Sequence, residues 1–204
     1  MVEILTTDPL NPDARVIHRA VEILRAGGVI AYPTETLYGL AADARNKEAI
    51  ERIFAIKGRD FDKPIPLIIG NREALSTLVS EVSERSAGLI NLFWPGPLTL
   101  IFHASERISD RLTAGTGKIG IRLSSHQIAW SLATVLHGAI TATSANISGE
   151  SGISSPEGVS HTMGNHIDAL IDGGVTAGGP GSTVLDVTCD PPVVLRDGAI
   201  PSSV

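Results

Sequence analysis

The sequence contains a single cysteine, Cys189, among 204 residues. One thiol cannot form an intramolecular disulfide, and it cannot build a cluster of cysteine ligands around a metal ion. Histidines are few and scattered as well. His161 and His166 stand five positions apart, which does not place two side chains on one helical face. The sequence therefore predicts no metal site built by protein side chains.

Aromatic residues and positive charge are also scarce. Aromatic residues make up 4% of the chain, and the formal net charge is −6. A protein that binds nucleic acids without discrimination needs a broad basic surface to release counterions. Such binding is disfavoured here, and any cationic site must be local.

Long hydrophobic runs are missing too. No uninterrupted apolar stretch approaches the ~18 residues that a membrane-spanning helix needs. The first ten residues carry Glu3 and Asp8 and do not resemble a signal peptide. We therefore expect a cytoplasmic protein that makes no membrane contact.

Helical and strand patterns alternate along the rest of the chain. Asn11 and Pro12 are typical of a helix start, and Ser125 is expected to cap a later helix. The predicted helices cover about residues 12–26, 46–56, 72–79, 83–93, 126–136 and 156–164. The predicted strands cover residues 29–32, 65–69, 98–102, 119–123, 139–143, 169–172, 183–187 and 193–196. This order predicts one α/β domain over residues 1–204, a twisted mixed sheet with flanking helices.

Common nucleotide and hydrolase signatures do not explain the chain. Residues 115–120 fit the pattern G-x-G-x-x-G, but they precede a predicted strand instead of following one and opening a helix. No Walker A sequence and no serine-hydrolase elbow occur. The chemistry must therefore be sought elsewhere.

Polar turns lie at the ends of several predicted strands. The polar residues of these turns are Thr34, Thr36, Tyr38, Lys57, Arg59, Lys63, Lys118, Arg122, Ser144, Asn146, Ser182 and Arg196. Each turn alone could be an ordinary surface feature. Ligands of α/β proteins usually bind at strand ends, however, and Lys and Arg suit phosphate or carboxylate. As a set, the turns predict a crevice for a nucleotide or another phosphate ligand.

In these motifs the chain closely resembles the YrdC-like family of threonylcarbamoyl-AMP synthases. The matching segments are residues 28–40 (GVIAYPTETLYGL), 57–59 (KGR), 94–99 (WPGPLT), 120–122 (GIR), 143–149 (TSANISG) and 182–186 (STVLD). The combination of Lys-x-Arg with a later Ser-x-Asn is the signature of that family. The resemblance implies a YrdC-like fold in the single-domain form of the family.

The resemblance also implies a reaction. The family condenses L-threonine, bicarbonate or CO₂, and ATP into threonylcarbamoyl-adenylate, with release of pyrophosphate. The product serves the formation of N6-threonylcarbamoyladenosine at position 37 of tRNA. The nucleophile comes from the substrate, so no catalytic Ser, Cys or His is required. We expect Mg²⁺ to arrive with ATP, and downstream tRNA threonylcarbamoyl-transferase proteins to take the product, with weak or indirect tRNA binding.

Residue roles follow from the same resemblance. Lys57, Arg59, Ser144 and Asn146 are expected to be catalytic and to bind ATP. Lys63, Lys118 and Arg196 are expected to add ATP contacts. Thr34, Arg122 and Ser182 are expected to bind threonine, with Arg122 pairing with its carboxylate.

Two other functions fit parts of the pattern. Similar domains occur in carbamoyltransferases that build hydrogenase ligands, but those are long proteins with Cys clusters, which a single cysteine disfavours. The second alternative is a non-catalytic module that binds double-stranded RNA on a concave cationic face. The net charge of −6 and the shortage of aromatic residues disfavour it.

Overall fold

Two mixed β-sheets form the frame of the computed structural model, which describes residues 2–201. The ends of the predicted 1–204 domain, residue 1 and residues 202–204, lie outside the described residues. The strands are β1 (Glu3–Thr6), β2 (Ile30–Pro33), β3 (Tyr38–Ala41), β4 (Leu67–Ile68), β5 (Leu98–His103), β6 (Lys118–Arg122), β7 (Ile140–Thr141), β8 (Thr143–Ser144), β9 (Ala169–Asp172), β10 (Thr183–Asp186) and β11 (Val193–Arg196).

The first sheet has the order β1-β9-β2-β3-β8 and the second the order β11-β10-β5-β6-β4-β7. In the first sheet β9 pairs in parallel with β1 and β2, and the β2–β3 and β3–β8 pairs are antiparallel. In the second sheet β10–β5 and β4–β6 are parallel, and the other pairs are antiparallel. The mixed α/β class is confirmed, but the single sheet that the sequence predicted is in fact two.

One predicted strand supplies both sheets. Residues 139–143 were expected to form a single strand, but the structure divides the segment into β7 and β8. The first piece pairs with β4 in the second sheet, and the other pairs with β3 in the first. The chain crosses between the sheets at Ala142, which carries the residues after it to the space between them.

The helices are α1 (Ala14–Arg25), α2 (Lys47–Lys57), α3 (Leu75–Leu78), α4 (Glu84–Phe93), α5 (Asp110–Thr113), α6 (Gln127–Leu136) and α7 (Pro156–Met163). Two predicted helix starts were wrong. Asp13 caps α1, because its carboxylate accepts a hydrogen bond from the N–H of Arg15. Asn11 lies before the helix, where the Asp8 carboxylate accepts from the N–H groups of Leu10 and Asn11. His126, not Ser125, caps α6.

Other predicted elements were too long or absent. Residues 65–69 form only the two-residue strand β4, because Pro64 and Pro66 beside it lack the N–H that a sheet ladder requires. Residues 72–79 form a 3₁₀ turn followed by one α-helical turn. Strands β1 and β3 and helix α5 were not predicted.

Two clusters of buried apolar side chains lie on opposite faces of the first sheet. In β2, Ile30 and Tyr32 pack in the cluster that includes residues of α1 and α6. Ala31 between them belongs to the cluster that includes residues of the second sheet. Successive residues of a strand point to opposite faces, so the strand supplies both clusters. Within residues 2–201, no helix combines the length and apolar character needed to cross a bilayer.

The cap of α6 links folding to pH. The His126 Nδ1 accepts a hydrogen bond from the N–H of Ile128 (3.3 Å), and burial lowers the pKa of His126 below its usual 6.5. The unfolded chain therefore takes up the proton first, and this contribution to stability, present above pH 6.5, is lost as the pH falls through the folded-state pKa. We expect the free energy of unfolding to decrease from pH 7.5 to pH 5.5.

The His126→Asn variant isolates this effect. Asparagine also caps helices, so the variant should lie within about 1 kcal/mol of the original chain at pH 7.5. Urea unfolding at three pH values should show a weaker pH dependence in the variant. An unchanged dependence would assign the effect to other groups.

Candidate active site

A cavity of about 730 Å³ lies between the two sheets. Its walls come from β2, β3, β5, β6, β8, β10 and β11 and from the turns beside them. The predicted site residues that line it are Thr34, Arg59, Arg122, Ser144, Asn146, Ser182 and Arg196. The volume is within the usual range for small-molecule sites. The structure thus brings together polar turns that are far apart in the sequence.

Lys57 lies behind the cavity wall instead of on it. The residue is only 2% exposed, at the last position of α2. Its ammonium donates to the carbonyl oxygens of Ser144 (2.6 Å) and Asn146 (2.7 Å) and to Asn146 Oδ1 (2.9 Å). An ammonium has three donors, so all are engaged and none remains for a phosphate. The structure thus places Lys57 as a support of the 144–146 turn and not in the cavity lining, and the ligand contact expected of it stays a prediction.

The electrostatic state of Lys57 reflects this position. Burial lowers its pKa to about 8, and the positive charge of Arg59 adds to the shift. The three oxygen acceptors act in the opposite direction, because they bind the charged form. Burial and Arg59 therefore disfavour the charged form of Lys57, and its three hydrogen bonds favour it.

The turn that Lys57 supports has a fixed shape. The Ser144 hydroxyl donates to Asn146 Oδ1 (2.5 Å), and Asn146 Nδ2 donates to the carbonyl oxygen of Glu150 (2.5 Å). Both ends of the Asn146 amide are thereby engaged. The spacing Ser-x-Asn is needed because the two side chains bind each other while the residue between them, Ala145, is buried.

Arg59 reaches the cavity from a loop. Gly58 ends α2 in the left-handed conformation (φ 56°), a turn that favours glycine. The Arg59 guanidinium is half-buried and donates to the carbonyl oxygens of Lys63 (3.2 Å) and Pro64 (2.8 Å). These two bonds use two of its five N–H groups. The remaining donors are available to an anion, and the ATP contact predicted for this residue stays a prediction.

Arg122 is the most buried cation of the cavity lining, with 7% of its side chain exposed. Among the described residues, none accepts a hydrogen bond from its guanidinium. The carboxylate of Glu35 is 3.6 Å from Nη1, which is an ion pair but too long for a hydrogen bond. A buried guanidinium without hydrogen-bond partners favours the binding of an anion.

Ser182 and Arg196 form a second polar wall. The Arg196 guanidinium donates to the Ser182 carbonyl (2.7 Å) and hydroxyl (3.1 Å) oxygens, and the Ser182 hydroxyl also bonds to the Thr99 hydroxyl (2.8 Å). Arg196 is exposed as a residue, but partial desolvation of its guanidinium lowers its pKa, and the charge of Arg122 adds to the shift. The two arginines therefore face the same cavity and repel each other.

Two predicted ATP ligands are not part of the lining. Lys63 is exposed and pairs with Asp60 (2.6 Å). Lys118, at the first position of β6, pairs with Asp186 (2.9 Å). Both charges are engaged by nearby carboxylates, so the structure does not bring these two lysines to the site.

Sequence reasoning missed Glu35 and Thr99. Thr99 is a buried hydroxyl within a strand, and Glu35 is a carboxylate inside an otherwise buried and polar turn. A charged residue in the segment Thr34–Thr36 was the available signal, because an acid is rarely buried without a cation beside it.

Comparisons with known proteins show which family the chain is similar to. The family model Sua5_yciO_yrdC, described as "Telomere recombination", matches residues 22–198. A threonylcarbamoyl-AMP synthase of Pyrococcus abyssi (strain GE5 / Orsay) is 41% identical over 185 residues, which are 91% of this chain and 54% of that protein.

Solved structures show the same likeness. The crystal structure of P. abyssi Sua5 complexed with L-threonine matches with a TM-score of 0.93 and 39% identity, over 97% of this chain and 58% of that one. The crystal structure of E. coli YciO matches with a TM-score of 0.91 and 33% identity, over 98% of this chain and 97% of that one. The chain thus spans little more than half the length of the Pyrococcus protein.

Proposed function

The chain belongs to the Sua5/YciO/YrdC family, and from that membership we propose that it is a threonylcarbamoyl-AMP synthase. The proposed reaction joins L-threonine, bicarbonate or CO₂, and ATP into threonylcarbamoyl-adenylate and releases pyrophosphate. The observation that carries the proposal is the buried Arg122 in a cavity that also contains Arg59 and Arg196. One cation suits a carboxylate, and the others suit phosphates.

The chemistry needs positioning more than a protein nucleophile. The threonine amine captures the one-carbon unit as a carbamate, and a carbamate oxygen attacks the α-phosphorus of ATP while pyrophosphate leaves. The protein must align these groups and neutralise their crowded charges. Arginines with free N–H groups can do this, and the fixed 144–146 turn can hold the nucleotide beside them.

The residues divide into two groups within the cavity. We assign the threonine carboxylate to Arg122, with Thr34 and Ser182 beside it. The Thr34 hydroxyl donates to the carbonyl oxygen of Leu37 (2.7 Å), so its orientation is fixed. We assign the phosphates to Arg59 and Arg196, and support of the 144–146 turn to Lys57.

Magnesium belongs to the substrate in this proposal. Within residues 2–201 no group of three His, Cys, Asp or Glu side chains is placed to hold a metal ion. A Mg²⁺ ion that enters with ATP can be coordinated by phosphate oxygens and water. We propose that the product is passed to tRNA threonylcarbamoyl-transferase proteins for modification of position 37 of tRNA in the cytoplasm.

The RNA-binding alternative is not favoured. The cationic side chains point into a cavity of about 730 Å³, which suits a small ligand better than a nucleic-acid duplex. The net charge of −6 also opposes binding to a polyanion over a wide surface.

An omission assay tests the proposal. The purified chain with Mg·ATP, L-threonine and bicarbonate should release pyrophosphate and form an adenylate that mass spectrometry can detect. Omission of threonine or of bicarbonate should reduce pyrophosphate release to background, because the carbamate is the nucleophile. Release that does not depend on threonine would contradict the function.

A further inference from the structure

Glu35 is a buried carboxylate beside the cation that we assign to threonine. It lies in the turn between β2 and β3, with 14% of its side chain exposed, and its Oε1 is 3.6 Å from Arg122 Nη1. The Ser124 hydroxyl donates to Oε2. This hydrogen bond fixes the position of the carboxylate relative to Arg122.

The pair leaves both charges incompletely satisfied. Among the described residues, Arg122 Nε and Glu35 Oε1 are buried atoms without a hydrogen-bond partner. Buried charges that lack hydrogen bonds are costly, and an ion pair at this separation compensates them only in part. The arrangement is therefore poorly explained as a device for stability.

The charges around Arg122 have opposite effects on different ligands. A carboxylate that approaches the guanidinium is attracted by Arg122 and repelled by Glu35, and both interactions are strong because the site is buried. An amino acid carries an ammonium within roughly 3 Å of its carboxylate, as bond lengths dictate. Glu35 is not among the residues that line the cavity, so it acts on a ligand through its charge from beside Arg122 and not by contact. That charge attracts the ammonium, so its effect on the ligand changes sign when the amine is present.

We propose that Glu35 determines specificity: it makes the Arg122 site select zwitterionic amino acids over carboxylic acids of the same shape that lack the amine. The inference rests on the proposed function and deepens it. An acid without an amine could occupy the site but could not capture the one-carbon unit. Exclusion of such acids therefore protects the reaction from dead-end complexes.

Calorimetry with two ligands tests this role. L-Threonine and (R)-3-hydroxybutyrate share the carboxylate and the hydroxyl, but only threonine has the amine. In Glu35→Gln the shape is retained and the charge is lost. We expect threonine to bind more weakly and 3-hydroxybutyrate more tightly, so that the preference for threonine falls roughly tenfold, as for the loss of one nearby charge.

Two further variants separate charge from structure. Ser124→Ala keeps the Glu35 charge and removes its hydrogen bond, and it should retain most of the preference. Glu106→Gln makes the same chemical change at an exposed residue that neither lines the cavity nor pairs with Arg122, and it should alter neither affinity. Changes of opposite sign for the two ligands would not arise from a structural defect, which would weaken both.

The outcomes also separate this inference from the proposed function. If the unchanged chain binds threonine and Glu35→Gln weakens both ligands by the same factor, the specificity role is wrong and the function stands. If the unchanged chain binds no threonine, the function fails and the inference fails with it.

Discussion

Replacing Lys57 by methionine is expected to lower the free energy of unfolding by about 3 kcal/mol, because three buried oxygen atoms lose a donor. Methionine has a similar length and is apolar, so the change leaves little empty space. Relief of the buried charge offsets part of the loss. Urea unfolding followed by tryptophan fluorescence measures the effect.

The same variant should lose turnover, because the 144–146 turn is released. Arg59→Ala is the matched control, since it removes the neighbouring cation of the same motif. The Arg59 guanidinium is half-buried and binds carbonyl groups of its own loop, so its loss should cost less than about 1 kcal/mol of stability while the ATP requirement rises. If the methionine variant is as stable as the original chain and Arg59→Ala is not, our description of Lys57 is wrong.

Arg122→Lys is expected to weaken threonine binding about ten- to a hundredfold, although the positive charge is kept. Lysine lacks the planar pair of N–H groups that can bind both oxygens of a carboxylate. Its ammonium is also smaller than a guanidinium and leaves empty space in the buried site. Calorimetry with threonine, without and with a non-hydrolysable ATP analogue, measures the loss.

Arg107→Lys makes the same substitution at an exposed position outside the cavity lining and should leave binding unchanged. A variant at Arg122 that binds threonine normally but ATP weakly would assign this arginine to the nucleotide. The two results together therefore show whether Arg122 belongs to the threonine site or to the ATP site.

Strands in the last third of the chain were predictable from their own composition. The predicted bounds of β9 and β11 coincide with those observed, because each is a short apolar run limited by turn residues. Strand β3 was missed because Gly39 interrupts a segment that reads as a turn. A side chain at Gly39 would lie 3.1 Å from the Tyr32 ring, which is tighter than an ordinary contact, so close packing between β2 and β3 favours glycine. That preference depends on strand pairing and is invisible in the local pattern.

The residues near the site could be predicted from the sequence, but the direction in which each side chain points could not. Polar turns at strand ends indicated Arg59, Arg122 and Ser182 because ligand sites recur at that position in α/β folds. The orientation of Lys57 depends on oxygen atoms 87 and 89 residues further along the chain. No local pattern reports such contacts, so a helix-end lysine and a buried support for a turn look alike in the sequence.

The parallel pairing of β5 with β10 sets when the cavity can form. This pairing joins Leu98 to Thr183, and the cavity also needs Arg196 from β11 and Thr34 from the turn after β2. Contacts between segments so distant in the chain raise the contact order and slow folding. A nascent chain in which β10 and β11 have not yet been synthesised and paired lacks one wall of the cavity. Ligand binding should therefore appear only late in folding, in the same step that completes the second sheet.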